Sequence, residues 1–177
     1  MPDFFICMNT TRIILIGFMG SGKTTLGKKL ANKLAYEFID TDSLIESFYG
    51  KSIPEIFNTE GETKFREWEQ LIVSELESRE NCIISVGGGL PCYEDNMDRL
   101  LTLGKVIYLQ RSPKELFHRL INKKNERPLL KNKTEHELLG HITNLLEKRK
   151  EYYEKAHIIA DREHQTPAKL IQLITAP

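Results

Sequence analysis

The sequence predicts an α/β fold in which helices cover both faces of a parallel sheet. Two observations carry this prediction. Short apolar runs rich in β-branched residues alternate with longer stretches of helical period, and a glycine-rich segment joins the first strand to the first helix. Such alternation is typical of parallel sheets, because each return to the sheet requires a crossover helix. Ligands of these folds bind at the carboxyl ends of the strands, so functional residues are expected just after each strand.

The first half of the chain supplies two strands and a helical stretch. RIILIG (12–17) and EFID (37–40) predict strands, and the helix predicted between them, over 23–35, has leucines four residues apart on one stripe. Residues 43–60 predict one or two short helices, because Gly50 interrupts them and Ser52 with Pro54 is typical of a helix start. A longer helix is predicted over 61–78.

The second half continues the alternation, and two capping boxes, Ser112 with Glu115 and Thr134 with Glu137, mark helix starts. The predicted elements are, in order, strand 81–86, a helix near 93–101, strand 105–109, a helix from 112 to about 123, a charged irregular segment over 124–133, a helix from 134 to about 156, strand 157–160 and a last helix from Thr166.

Composition narrows the function classes. The 177 residues fit one domain, 1–177, with 25 basic and 25 acidic side chains. This balance disfavours nucleic-acid and membrane-surface partners, which usually require a basic excess, and it favours a monomer. The three cysteines are few and widely spaced, so free thiols and a cytoplasmic location are expected. No apolar run reaches the roughly 20 residues of a membrane helix.

The segment GFMGSGKT (17–24) fits the phosphate-binding pattern G-x-x-x-x-G-K-[ST] between a strand and a helix. Its glycines let several backbone N–H groups face one anion at a helix N-terminus. Lys23 is expected to reach the outer phosphates of ATP, and Thr24 to ligate Mg²⁺. The predicted nucleotide-binding residues of this segment are Gly20, Ser21, Gly22, Lys23, Thr24 and Thr25.

The third strand ends in Gly87, Gly88 and Gly89, where motor ATPases usually have a strand ending in aspartate. Glycines allow a small molecule to approach backbone N–H groups closely, so this turn favours a small acceptor next to the phosphates. The chain also lacks the N-K-x-D segment with which GTPases bind guanine. A kinase acting on a small molecule is therefore favoured.

Two arginines fit an anionic acceptor. Arg149 falls on the apolar stripe of its helix, which we predict as Leu138, Ile142, Leu145, Tyr152 and Ala156. A charge there requires an anionic partner or a cleft, or else it extends to the edge of the stripe. Arg66 precedes Glu69 by three residues and Gln70 by four, so a surface helix pair is the favoured interpretation of this arginine taken alone.

Two further features concern the transfer step. Arg127 lies in the irregular segment, where a closing loop would bring a cation onto the transferring phosphoryl group. Asp40 and Asp42 lie one residue apart, so in an extended strand end both would face the cleft. We expect Asp40 to hold Mg²⁺ with Thr24, and Asp42 to address the acceptor hydroxyl; a cap of the next helix is the alternative role for one of them.

Taken together, these segments resemble the shikimate kinases: GFMGSGKTTLGKKLA, FIDTD, SIPEIFNTEGETKFREWE, ISVGGG, RPLL and the arginine of EKRKEYYEKA occur in that family's order. The resemblance covers nearly all of 12–167. It implies a three-layer α/β/α P-loop kinase with a five-stranded parallel sheet, which transfers the γ-phosphoryl group of ATP to the 3-hydroxyl of shikimate on the way to chorismate. It also implies a small substrate-binding subdomain at 42–70 and a mobile lid at 123–134.

The resemblance further implies roles for single residues. Asp42, Arg66, Gly88 and Arg149, with the neighbouring Gly87 and Gly89, would hold shikimate, and Lys23, Asp42 and Arg127 would be catalytic. Arg119, Gln165 and Pro167 would contact adenine. Three features depart from the family pattern: the residues after the glycines, Gln165 where arginine is frequent, and a longer spacing from Arg119 to Arg127. Another small-molecule kinase of this fold, such as a gluconate kinase, is the alternative; adenylate kinase and a non-catalytic ATP-binding regulator are weaker ones.

Overall fold

The computed structural model describes residues 12–122, 130 and 133–176. Five parallel strands form one sheet in the order β2-β3-β1-β4-β5. Their bounds are β1 Arg12–Ile16, β2 Glu37–Asp40, β3 Cys82–Ser85, β4 Lys105–Leu109 and β5 Ile158–Ala160. The register pairs Ser85 with both Leu15 and Asp40, so the carboxyl ends of the first three strands lie side by side.

The described part of the chain contains eight α-helices, which connect the strands or follow them. They are α1 Lys23–Leu34, α2 Thr41–Tyr49, α3 Ile53–Thr59, α4 Gly61–Leu76, α5 Asn96–Leu103, α6 Pro113–Leu120, α7 Glu135–Tyr153 and α8 Pro167–Thr175. Capping boxes are present at Ser52, Ser112 and Thr134, as the sequence pattern indicates for the last two. No helix in the described part of the chain is long and apolar enough to span a membrane.

The core is divided by the sheet, because successive residues of a strand face opposite sides. Ile13 and Leu15 pack with α1 and α8, whereas Ile14 and Ile16 pack with the α4–α5 side of the sheet. A third, smaller cluster buries Phe18 of the glycine-rich loop against α6 and α7. The predicted three-layer architecture is confirmed.

Two local predictions are wrong. Helix α2 begins at Thr41 rather than Ser43, so Asp42 lies on a helix and does not continue the extended strand from Asp40. On α7 the buried tyrosine is Tyr153, whereas Tyr152 is only partly buried. A helix of 3.6 residues per turn places the residue four after Arg149 on the same face as the arginine, and that residue is Tyr153, one position after the predicted Tyr152.

Candidate functional site

The glycine-rich loop forms the first wall of a cleft of about 500 Å³ at the carboxyl ends of the strands. Gly20 and Gly22 have left-handed backbones, with φ of 79° and 105°. The Lys23 Nζ donates to the carbonyls of Gly17 at 2.7 Å and Phe18 at 3.1 Å, which holds the lysine across the loop. Of the predicted nucleotide ligands, Gly20, Gly22, Lys23, Thr24 and Thr25 line the cleft, and Ser21 lines the adjoining pocket.

The carboxylate of Asp40 does two things. Its Oδ1 accepts from the N–H groups of Asp42 and Ser43 and so caps α2, and its Oδ2 accepts from the Thr24 hydroxyl at 3.0 Å. Neighbouring ligands of an octahedral Mg²⁺ with metal–oxygen distances of about 2.0–2.1 Å lie about 3 Å apart, so this oxygen pair fits the ion. Such a site, with only one carboxylate, suits Mg²⁺ that is also held by phosphates.

The turn after β3 forms the second wall, and its glycines make room for side chains. A Cβ on Gly87 would lie 2.8 Å from both Asp42 Oδ1 and Glu69 Oε1, and one on Gly89 would lie 2.6 Å from the Arg66 guanidinium. The N–H of Gly87 donates to the Thr41 hydroxyl at 3.0 Å. The glycines therefore bring backbone and charged side chains together at distances that no other residue permits.

Arg66 is a buried residue, so its interpretation as a surface helix pair is wrong. Its guanidinium donates to Glu69 at 2.6 Å and to Glu62 at 2.9 Å. Glu69 is completely buried, and its Oε1 has no hydrogen-bond partner among the described residues. Burial raises the pKa of the Glu69 carboxyl to about 7, although the Arg66 guanidinium opposes the rise.

Arg149 reaches the same place from α7. Only 6% of its surface is exposed, and its guanidinium lies over the Phe18 ring at 5.4 Å. Its Nη1 lies 3.3 Å from the position of a Cβ on Gly88, and this buried nitrogen has no hydrogen-bond partner in the described part of the chain. A buried cation with a spare donor is costly unless an anion completes it, so the geometry predicts an anionic ligand at this point.

The predicted adenine contacts gather in an adjoining pocket of about 250 Å³, lined by Arg119, Gln165 and Pro167. Arg119 lies over the loop and donates to the Gly20 carbonyl at 3.0 Å. The Gln165 Nε2 donates to the carbonyls of Gln110 and Ala160, both at 2.9 Å. Arg127, the predicted lid arginine, lies outside the described residues.

Comparison with known proteins agrees with this geometry. The shikimate kinase family model matches residues 19–176. The shikimate kinase of Azobacteroides pseudotrichonymphae is 48% identical over 149 residues, which are 84% of this chain and 88% of that protein. The crystal structure of shikimate kinase from Bacteroides thetaiotaomicron has a TM-score of 0.85 at 41% identity, covering 93% of this chain and 96% of that one.

The chain belongs to the shikimate kinase family. The predictions of family, fold class and an ATP-dependent kinase that uses Mg²⁺ are confirmed, as is the prediction of a shikimate kinase. The Acinetobacter baumannii shikimate kinase, solved in complex with shikimate, has a TM-score of 0.84 at 35% identity, covering 94% of this chain and 92% of that one.

The alternative of a gluconate kinase receives no such support. A gluconokinase from Sinorhizobium meliloti has a TM-score of 0.55 at 19% identity, covering 94% of this chain and 90% of that one. A likeness at this level shows the common fold alone.

Sequence reasoning missed Thr41 and Tyr153, which shape the site, and it placed Glu69, the partner of Arg66, on the surface although this glutamate is buried. Thr41 accepts from the Gly87 N–H, Glu69 fixes Arg66, and the Tyr153 hydroxyl donates to the Gly88 carbonyl at 2.6 Å. The position of Tyr153 four residues after Arg149 was the one available signal, because it places both side chains on one face of α7.

Proposed function

We propose that the protein transfers the γ-phosphoryl group of ATP to the 3-hydroxyl of shikimate in this cleft. The phosphates would bind on the side of the phosphate loop, and the acceptor would bind between the glycine turn, residues 87–89, and the side chains of Arg66 and Arg149. The observation that carries the assignment is the buried Arg149 Nη1, which lacks a partner among the described residues and lies next to Gly88, a residue that lines the cleft of the phosphate loop. An acceptor carrying a carboxylate supplies the missing partner, whereas an uncharged sugar does not.

On the phosphate side the chain provides positioning and positive charge. Lys23 would leave the Gly17 and Phe18 carbonyls to reach the outer phosphates, and the loop N–H groups would hold the others. Thr24 and Asp40 would hold Mg²⁺, which neutralises charge on the phosphates. Arg119, Gln165 and Pro167 would contact adenine, because they line the pocket next to the loop.

On the acceptor side Asp42 would orient the attacking hydroxyl and take its proton as transfer proceeds. It lines the cleft together with Thr24, Asp40 and Gly88, so it lies between the phosphate loop and the glycine turn. Arg66 and Arg149 would grip the substrate carboxylate. The peptide N–H groups of Gly88 and Gly89 would add neutral donors, since none of the described residues accepts from them.

We further propose that 42–70 forms the substrate-binding subdomain and 123–134 the lid, with Arg127 placed on the phosphates during transfer. Helix α3 and most of α2 and α4 lie within 42–70, and α2 and α4 carry Asp42 and Arg66. The enzyme would act in the cytoplasm, as a monomer, on ATP and shikimate alone. The free thiols of Cys82 and Cys92 fit a reducing compartment.

The test is ADP release from MgATP with shikimate, gluconate or AMP offered singly. We expect ADP release that depends on shikimate, and phosphate on the 3-hydroxyl of the product by phosphorus NMR. Release that depends on gluconate or AMP instead, or that ignores all three acceptors, would overturn the assignment.

A further inference from the structure

One buried side chain of α7 forms a hydrogen bond to the glycine turn. Tyr153 is fully buried, and its hydroxyl donates to the Gly88 carbonyl at 2.6 Å across 65 residues of sequence. Burial raises the pKa of this hydroxyl, although the Arg149 guanidinium opposes the rise, so the proton needed for donation is retained. The bond joins the helix that carries Arg149 to the turn that faces the acceptor.

The bond also has a direction. The Gly88–Gly89 peptide is trans, since the described part of the chain contains no cis peptide bond. In a planar trans peptide the C=O of one residue and the N–H of the next point in opposite directions. Because the Gly88 carbonyl points at the buried Tyr153, the Gly89 N–H must point away from it.

The groups around the glycine turn indicate why the orientation of the Gly88–Gly89 peptide matters for an anionic ligand. A Cβ on Gly89 would meet the Arg66 guanidinium at 2.6 Å, and one on Gly88 would lie 3.3 Å from Arg149 Nη1 and 3.2 Å from the Met19 nitrogen. The turn is therefore confined between the two arginines and the phosphate loop. A rotation of the Gly88–Gly89 peptide would replace an N–H donor by a carbonyl oxygen at a place built for an anion.

We propose that Tyr153 is a positioning residue for shikimate, acting through the Gly88–Gly89 peptide, which it holds with the Gly89 N–H presented to the substrate carboxylate. The proposal rests on the proposed function, because it takes shikimate as the ligand. Tyr153 touches no reacting atom; it fixes a neutral donor beside two cationic ones.

The chain offers a matched control. Tyr108 on β4 packs against Tyr153 with ring centroids 5.0 Å apart, and it is also buried. Within the described residues its hydroxyl makes no hydrogen bond. Tyr153→Phe and Tyr108→Phe therefore remove the same atom from neighbouring rings, and only the first removes the bond to Gly88 and the contact of the hydroxyl with the Arg149 guanidinium.

The test compares KM values and turnover of the two variants with those of the wild-type enzyme. We expect Tyr153→Phe to raise the KM for shikimate about three- to tenfold while the KM for ATP changes by less than about twofold. Tyr108→Phe should leave both constants within about twofold of wild type. Equal effects of the two variants on the shikimate KM, or an equal rise of both KM values in Tyr153→Phe, would show a merely structural role and overturn the proposal.

A second measurement needs no variant and stays decisive if Tyr153→Phe fails to fold. With ¹⁵N-glycine labelling, the 11 glycines of the chain give a simple amide spectrum. Adding shikimate to the wild-type protein should shift the Gly89 resonance, whereas Gly140, which lies in open space on α7, should not move. A Gly89 amide that ignores saturating shikimate in an enzyme that phosphorylates it would sink the proposal and leave the proposed function intact; an enzyme inactive on shikimate would sink the function itself.

Discussion

The two walls of the cleft are built in different ways. The phosphate wall is one continuous segment, GFMGSGKT, whose lysine is satisfied by its own loop carbonyls. The acceptor wall is assembled from α2, α4, α7 and the turn after β3, and it contains buried polar atoms without partners in the described structure, namely Arg149 Nη1 and Glu69 Oε1. The first wall is one local segment, in which the buried Ser21 Oγ also lacks a partner in the described structure, and the second wall is a set of groups that four elements bring together around the acceptor.

Among the variants that separate the roles of the two walls, Asp42→Asn is expected to have the largest effect on activity. The substitution keeps the shape of the side chain but removes the carboxylate that orients the hydroxyl and takes its proton, so kcat should fall by about 10²- to 10⁴-fold. The KM for MgATP should change little, because the phosphate wall is untouched. Asp98→Asn, at an exposed aspartate paired with Lys155 outside the cleft, is the control. Near-normal turnover of Asp42→Asn would remove Asp42 from the chemistry.

The second largest effect is expected from Arg149→Lys. Lysine retains the charge but loses the planar guanidinium that lies over Phe18 and beside Gly88. We expect the KM for shikimate to rise about 10- to 100-fold, with little change in the KM for ATP. Arg99→Lys is the matched control, because Arg99 binds Ser74 and the Gln70 carbonyl outside this cleft. A parallel rise in both KM values would mean that the two walls are not separate.

Gly87→Ala probes the close approach in the turn. The new methyl group would stand 2.8 Å from both Asp42 and Glu69, and overpacking of this kind costs about 1–3 kcal/mol. We expect kcat/KM for shikimate to fall about tenfold while ATP affinity is kept. In Gly140→Ala the methyl group meets nothing within 4 Å, so that variant should keep full activity and gain about 0.5–1 kcal/mol in free energy of unfolding. Full activity in Gly87→Ala would show that the turn has room to spare.

The smallest effect concerns pH. Burial holds the pKa of Glu69 at about 7, near the charges of Arg66, Asp42 and Arg149. A bound carboxylate would raise this pKa further, so binding takes up a proton and the affinity for shikimate should strengthen as the pH falls. We expect the Kd by calorimetry to decrease about threefold from pH 8 to pH 6.

The matched variants for this pH effect are Glu69→Gln and Glu62→Gln. The first removes the titrating group, so its Kd should no longer follow pH. The second removes the exposed partner of Arg66 and should leave the pH dependence in place. A dependence that survives in Glu69→Gln would assign the titration to another group.

The contrast between the local phosphate wall and the assembled acceptor wall also explains which features of the site could be predicted from the sequence. The phosphate wall, the glycine run and the helix starts at Ser112 and Thr134 are local patterns, so they could be read from neighbouring residues. The burial of Arg66 and Glu69 could not be predicted in this way. An arginine and a glutamate three residues apart give the same sequence pattern on an exposed helix face and on a buried one. Both side chains lie against the turn after β3, at Gly87 and Gly89, which comes from a distant part of the chain.

Asp40 and Asp42 illustrate the same limit at closer range. Their positions after β2 predicted a place in the cleft, but the start of α2 at Thr41 decides which oxygen faces which partner. Asp40 combines the two roles that the sequence had set as alternatives, since it caps α2 and also binds Thr24. Asp42 is turned onto the helix and lies against Gly87.

The most direct test of separate walls is calorimetric binding of shikimate and of Mg²⁺ with a non-hydrolysable ATP analogue to Asp40→Asn and Asp42→Asn. Asparagine is as good a helix cap as aspartate, so Asp40→Asn keeps α2 in place while weakening the metal site. We expect Asp40→Asn to weaken binding of the Mg²⁺–nucleotide about tenfold and to leave the Kd for shikimate unchanged, and we expect Asp42→Asn to weaken binding of shikimate alone. Loss of both ligands in either variant would contradict the division between the metal carboxylate and the acceptor carboxylate.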